Sequence, residues 1–255
     1  MRRAVRAEWA KTWSDPGAAW LLAALVVLSV AVSAAAIGTA RCQAAACGQD
    51  PARISLTGVY LGQAVAALAG VLATGGEYGT GMIRVTLAAI SRRRRLLAAK
   101  ALVLAGPVLA AAVLATVAPM LAARFVLPGH GFTVAHGYDL VSGGMWRAAL
   151  CAAVYLTLVA VFSLGVTTAV RDSAAAIGIV LGIVYLFPVV AQLFRGQTLQ
   201  RHLEQIGPLA AGLDAQATIG LRGLPLTPWQ GLGVVALWAA GALILGGAAL
   251  CLRDA

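Results

Sequence analysis

Six runs of apolar residues, each close to the length of a bilayer-crossing helix, constrain this chain more than anything else in it. A helix needs about 20 predominantly apolar residues to cross the hydrocarbon core. Runs of that kind occupy 17–38, 56–76, 97–125, 146–170, 174–194 and 229–252. A soluble domain of this size carries about a quarter charged residues, whereas here 11% are charged and 61% hydrophobic. The pattern predicts an all-α polytopic membrane protein with six transmembrane helices, a single transmembrane domain over 1–255 and no separate soluble domain. The first run follows a charged amphipathic stretch, lacks a convincing small-residue cleavage site and precedes further spans. It therefore reads as a span and not as a cleaved signal peptide.

The apolar centres of the runs contain no Asp, Glu, Lys, Arg or His. Ion-coupled transporters and proton pumps bind their ion at an ionisable group within the membrane. Intramembrane proteases need an embedded acid pair, a Ser–His pair or a zinc site. Neither pattern is present, and no catalytic or metal-ligating cluster stands out. Gln63, Tyr155, Thr157, Ser163, Thr167 and Gln192 remain to shape a path or to join helices. No phosphate-binding loop of the form G-x-x-x-x-G-K-[ST] occurs. Ser142-Gly143-Gly144 faintly matches an ATPase signature triplet, with no nucleotide fold around it. The chain is thus expected to be no enzyme and to hold no cofactor of its own, so that work has to enter from outside the membrane.

Charge decides orientation. The net charge is +10 and the isoelectric point about 10.3. In a soluble chain that would suggest nucleic acid, but beside apolar spans it fits positive-inside topology and anionic headgroups. Twelve of the 19 Lys and Arg fall on the side that holds the N-terminus, the connection between spans two and three, and the C-terminus. Both termini are therefore expected in the cytoplasm, with the body in a bacterial plasma membrane. Arg2 to Trp13 reads as an interfacial amphipathic helix anchored by Val5, Trp9 and Trp13, with Arg2, Arg6 and Lys11 flanking that face. A disordered basic tail is the alternative. Asp15 is expected to cap the helix that Pro16 begins.

The stretch Gly75–Lys100 carries most of the cytoplasm-seeking charge. Gly75 and Gly76 are expected to end span two and let the chain turn. Glu77 would then stand near the N-terminus of a short helix, where a carboxylate is favoured. Ile83, Leu87 and Ile90 share one face of that helix, and Thr80 and Arg84 another. Ser91 is placed to cap the next helix, which opens on Arg92, Arg93, Arg94 and Arg95 and reaches Lys100 at the membrane interface. A basic loop of this kind sets topology in many membrane proteins, or simply holds lipid headgroups.

The ordered features resemble the membrane subunit of type-2 ABC exporters. In that family span two is followed by E-x-G-T, a short coupling helix and a basic lead into span three. Here stand Glu77-Tyr78-Gly79-Thr80, then Ser91-Arg92, Leu96-Leu97 and Ala99-Lys100. Ala7-Glu8-Trp9-x-Lys11 is similar to the family's interfacial helix. Leu226-x-Pro228-Trp229-x-Gly231, Trp238 and Arg253-Asp254-Ala255 resemble its last span. Many relatives have Pro just before the Ser-Arg pair, where this chain has Ala89-Ile90.

The resemblance implies a permease subunit that moves a hydrophobic or amphipathic drug, lipid or peptide outward. Two such subunits pair, as copies or relatives. Each cytoplasmic coupling helix meets a separate ATPase subunit that holds the ATP and Mg. Glu77, Gly79, Thr80, Ile83, Arg84 and Leu87 would form the ATPase-coupling set. The alternative is an assembly or regulatory membrane component whose basic loop binds lipid or a partner other than an ATPase.

Gly58-x-x-x-Gly62 and Gly178-x-x-x-Gly182 permit close helix packing, within the chain or between two subunits. Cys42 and Cys47 lie in a loop expected outside, as either a disulfide or free thiols. Cys151 and Cys251 fall in spans as small packing residues.

Overall fold

The computed structural model describes residues 2–14, 16–42, 49–82, 93–132, 143–193, 202–203, 205–219, 221 and 225–252. All regular structure among them is helical. An N-terminal helix α1 (Arg2–Ser14) is followed by α2 (Pro16–Thr39), a short α3 (Pro51–Ser55), α4 (Val59–Gly79) and α5 (Arg93–Val126). Next come α6 (Gly144–Val170), α7 (Ser173–Leu181), a π turn (Gly182–Leu186) leading into α8 (Phe187–Leu193), α9 (Pro208–Asp214) and α10 (Pro228–Leu252). Six of these helices are long and apolar enough to cross a membrane, α7 and α8 counting as one span through Val190. The chain is an all-α, multi-pass membrane protein.

The fourth span, α6, is the hub. In its most apolar window 72% of residues are buried, against 22% in the first span and 17% in the fifth. The sequence explains the position. Ala148, Ala149, Ala152, Ala153, Ala160 and Gly165 are small enough for other spans to lie close on several sides. Lipid tails are as apolar as leucine, so bundles gain contact mainly where small residues let backbones approach. A Cβ on Gly70 of α4 would stand 2.1 Å from the Ala160 carbonyl oxygen, and one on Gly165 would stand 2.6 Å from the Ala242 carbonyl carbon of α10. Gly58 and Gly62 do the same work against the first span: added Cβ atoms would meet the Ser29 carbonyl oxygen at 1.8 Å and its Oγ at 2.4 Å. Gly178 and Gly182, by contrast, face no atom within 4 Å.

Several expectations need correction. Gly75 and Gly76 do not end the second span, because α4 continues through both to Gly79. Glycine breaks helices readily in water, but here Gly75 is a contact residue whose Cβ would lie 2.3 Å from Ser173 Oγ. Glu77 therefore sits in the last turn of a long helix and not at the start of a short one. Pro107 and Pro119 both lie inside the continuous α5. The fifth span widens to a π turn that ends at Leu186, two residues before Pro188, which has no N–H to give to the helical ladder.

Spans four and five join through one tight turn. Arg171 adopts φ 64 and closes α6 by donating its N–H to the Thr167 oxygen at 2.7 Å. Asp172 then caps α7, its Oδ1 accepting from Ala175 N at 2.7 Å. At the opposite end of the bundle, Cys42 N donates to the His130 oxygen at 3.0 Å, and Arg41 reaches His130 Nδ1 at 2.9 Å. Cys42 is disulfide-bonded, and Cys47 lies outside the described residues. Cys151 is buried and free, whereas Cys251 is free but exposed, so it does not pack.

The contacts predict a contrast between glycines. Gly70→Ala should lower stability by about 1–3 kcal/mol through overpacking, while Gly178→Ala should leave the melting temperature of the single chain unchanged. Thermal unfolding in detergent micelles checks this, and equal melting of both variants would remove the close contact from the account.

Candidate functional site

Where α1, α4 and α5 meet, four charged side chains form one junction. Glu8 and Lys11 are three residues apart and so project from one side of α1. Glu77 comes from the last turn of α4, and Lys100 from two turns inside α5. Lys100 Nζ donates to Glu8 Oε2 at 2.9 Å and to Glu77 Oε1 at 2.5 Å. Lys11 Nζ donates to the same Glu77 oxygen. Glu77, Lys100 and Glu8 are only 3%, 5% and 8% exposed. The four formal charges cancel. Burying each ion costs several kcal/mol, and the cost is met only when partners and geometry are both good.

The junction reassigns the residues singled out from sequence. Glu77 is enclosed between Lys11 and Lys100. Lys100 is buried at the centre of the knot. Gly79 ends α4 and Thr80 follows as its cap, with Thr80 Oγ1 donating to the Gly76 oxygen at 2.8 Å. Gly81 then turns at φ 70, a conformation that glycine adopts without strain. Ile83, Arg84, Leu87 and Arg92 lie outside the described residues, as does the side chain of Arg94. Trp9 is 48% exposed and Val5 half-buried, so α1 turns its Trp9 edge outward and its Glu8 edge inward. The side chain of Trp13 lies outside the described set.

Two more arginines tie neighbouring helix ends into the same region. Arg93, in the first turn of α5, donates to the Leu250 oxygen at 2.5 Å. Arg171 donates to the Ala249 oxygen at 3.0 Å. Both carbonyls belong to the final turn of α10, where the helix leaves its last acceptors without backbone partners and favours cations. The connection 80–92 thus leaves and rejoins the bundle at points bonded to α1, to each other and to the end of the sixth span.

Deeper in the bundle, the polar residues offer little to a passing solute. Thr157, Ser163 and Thr167 donate to carbonyls four residues back on their own helix. Tyr155 is fully buried and donates to Gln63 Oε1, while Tyr185 donates to the Tyr60 oxygen. The side chain of Gln192 lies outside the described residues. Between α6, α7 and α10 opens a cavity of about 620 Å³, lined by apolar groups that include Phe162, Ile183, Trp238 and Leu245. Among the described residues, no group of His, Cys, Asp and Glu is arranged to hold a metal ion.

Sequence reasoning named Glu8 and Lys11 but missed their pairing with Lys100 and Glu77. The signal was there: a lysine inside an apolar run needs a counter-charge, and Glu8 is the one acid ahead of the first span besides Asp15. No protein-family model matches the chain, and no curated protein matches it.

The burial predicts unequal costs within the junction. Lys100→Met leaves two buried carboxylates short of their cation and should cost about 3–5 kcal/mol. Lys11→Met, at a side chain 41% exposed, should cost less than about 1 kcal/mol. Equilibrium unfolding of the two variants in mixed micelles should separate them, and equal losses would contradict the buried geometry.

Proposed function

We propose that the chain is the membrane-spanning permease subunit of an ATP-driven exporter of the type-2 ABC kind, worked by a separate ATPase subunit. The observation that carries the reading is the ion junction. It fastens both ends of the connection 80–92, together with α1, into one block. A force on a loop is absorbed where its ends move independently. Here a push on 80–92 is passed jointly to the second and third spans, and through Arg93 to the end of the sixth. That is a sensible design for a membrane body whose span centres hold no ionisable group of their own.

Other features favour the same reading. The connection 80–92 with its arginines, and the N- and C-terminal ends, would face the cytoplasm by the positive-inside rule. Gly178 and Gly182 have open space before them on the least buried span, which suits close packing against a second permease subunit. The apolar cavity beside Trp238 suits a hydrophobic or amphipathic cargo. ATP and Mg belong to the partner ATPase in this scheme, and Ile83, Arg84 and Leu87 form the surface that partner touches.

Purification of the tagged chain from its native membrane is the test. An ATP-hydrolysing subunit should come down with it in stoichiometric amount. Arg84→Glu should abolish that association while the protein remains inserted at normal yield. A wild-type complex without any ATPase, or an Arg84→Glu complex that keeps it and still exports, would overturn the reading.

A further inference from the structure

The cavity between α6, α7 and α10 has a direction. Its wall on α10 runs from Val234 to Leu245, about 16 Å of helix. That is close to the depth of one leaflet, half of the roughly 30 Å hydrocarbon core. On α6 the wall uses the final turns, from Phe162 to Val170, and on the fifth span it uses Ile179 and Ile183. The cavity therefore occupies the leaflet on the side of the ion junction. It opens sideways, since Ile179, Leu237 and Leu245 line it and are also exposed on the bundle surface. At that depth the surrounding medium is acyl chain and not water.

The two ends of the cavity differ. Toward the middle of the membrane, Phe162 and Trp238 meet edge to face with ring centroids 5.9 Å apart and form a fixed apolar end wall. The polar groups there are engaged within the chain. The Trp238 indole N–H donates to the Ile206 oxygen at 2.9 Å, and Gln205 Nε2 donates to the Pro225 oxygen at 3.2 Å. The segment that follows Ile206 lies over Tyr155, whose ring a Cβ on Gly212 would meet at 2.1 Å. This end suits a hydrocarbon tail. At the junction end, Ala169 and Val170 line the wall and lead directly into Arg171. The Arg171 guanidinium bonds the Ala249 oxygen, one turn beyond Leu245, and Arg93 bonds the next carbonyl, that of Leu250. Two cations thus gather at the helix end where the apolar wall stops. Basic groups between spans at headgroup level attract anionic lipids.

We propose that this cavity is a binding site for an anionic phospholipid, with one acyl chain laid along α10 as far as Trp238 and the phosphate beside Arg171. Its volume of about 620 Å³ lies within the range of small-molecule sites. The narrow slot fits a flexible chain better than the cylinder of a second span, which is about 10 Å wide. The site goes beyond the export reading, because it needs the membrane-spanning fold alone.

The full-length chain is reconstituted in nanodiscs that contain phosphatidylglycerol with a diazirine near the end of one acyl chain. After irradiation, adducts are mapped by peptide mass spectrometry. They should concentrate on the peptides that carry Phe162 and Trp238, about tenfold above α2 around Val27, an exposed stretch of ordinary lipid contact. Gly241 lines the cavity and faces no atom within 4 Å. Gly241→Leu therefore fills the space without overpacking and should lower the adducts about tenfold at an unchanged melting temperature. Arg171→Gln should lower them about fivefold, whereas Arg171→Lys, which keeps the charge, should retain most of them. Phosphatidylcholine with the same diazirine, used on the unaltered chain, should give about fivefold fewer adducts than phosphatidylglycerol.

Equal labelling of the cavity and α2 would mean ordinary lipid contact and would reject the site, as would wild-type adducts in Gly241→Leu. A second copy of the chain seated there would shield the cavity and bring its labelling below that of α2, which also rejects the site. Equal adducts from the two lipids would reject the anionic headgroup. Labelling in a chain that exports nothing leaves the site standing and counts against the export reading alone. Export by a chain whose cavity does not label rejects the site alone.

Discussion

The Lys100 ammonium, held between two carboxylates at the edge of the membrane body, is the interaction on which the rest of the arrangement depends. Without it Glu8 has no reason to be inside, and the fit of α1 against the third span loses its polar anchor. An apolar trio of similar volume would give comparable stability, since desolvating ions consumes most of what their attraction returns. What the ions add is register. Lys100 meets Glu8 and Glu77 only at one axial and rotational setting of α1, α4 and α5, whereas leucines would tolerate several. The junction is therefore best understood as a fixture that sets three helices relative to one another. The bundle's small-residue contacts then carry that setting along the spans.

Those contacts explain how one end of the molecule can influence the other. Around α6 the backbones lie too close for a methyl group at Gly70 or Gly165. Close-packed interiors transmit displacement and do not absorb it. The two ends differ in chemistry. One is closed by buried ions with little access to water. The other is closed by Asp50, Arg53 and Arg147 bonded to a segment between spans five and six, and the side chain of Arg53 is 46% exposed. The first suits a permanent fastening, because breaking it would strand charges in a dry place. The second suits a fastening that opens, because water can take over each bond as it breaks.

Much of the fold was legible in the sequence. Apolar length alone located six spans within a few residues, since backbone groups in lipid leave the chain no choice but helix. The errors have physical causes. Glycine ends helices readily in water, whereas inside the bundle Gly75 is a contact point. Glu77 was assigned by its neighbours in sequence to a helix start, whereas its partners are Lys11, 66 positions away, and Lys100. Charge pairing over such distances leaves no periodic trace in one sequence. The bonds to Asp50 are illegible for the same reason, because its donors lie at 218 and 219. Arg171 likewise reaches a carbonyl 78 positions away, in the last turn of the sixth span.

The fifth span shows where such a body can yield. It is the least buried of the six, and its helix is interrupted by a π turn ahead of Pro188. It is joined to α6 by a turn whose arginine is held at φ 64. Few buried contacts and an irregular ladder mark the parts of a structure that open most cheaply. The same span borders the apolar cavity through Ile179 and Ile183, and its next connection leads into the segment that covers Tyr155. A displacement of this span would thus alter the cavity wall and the cover together, while the ion junction and the α4–α6 contacts stayed fixed. Rigidity around Lys100 and compliance in the fifth span are complementary: a push can be delivered usefully only if something elsewhere gives way.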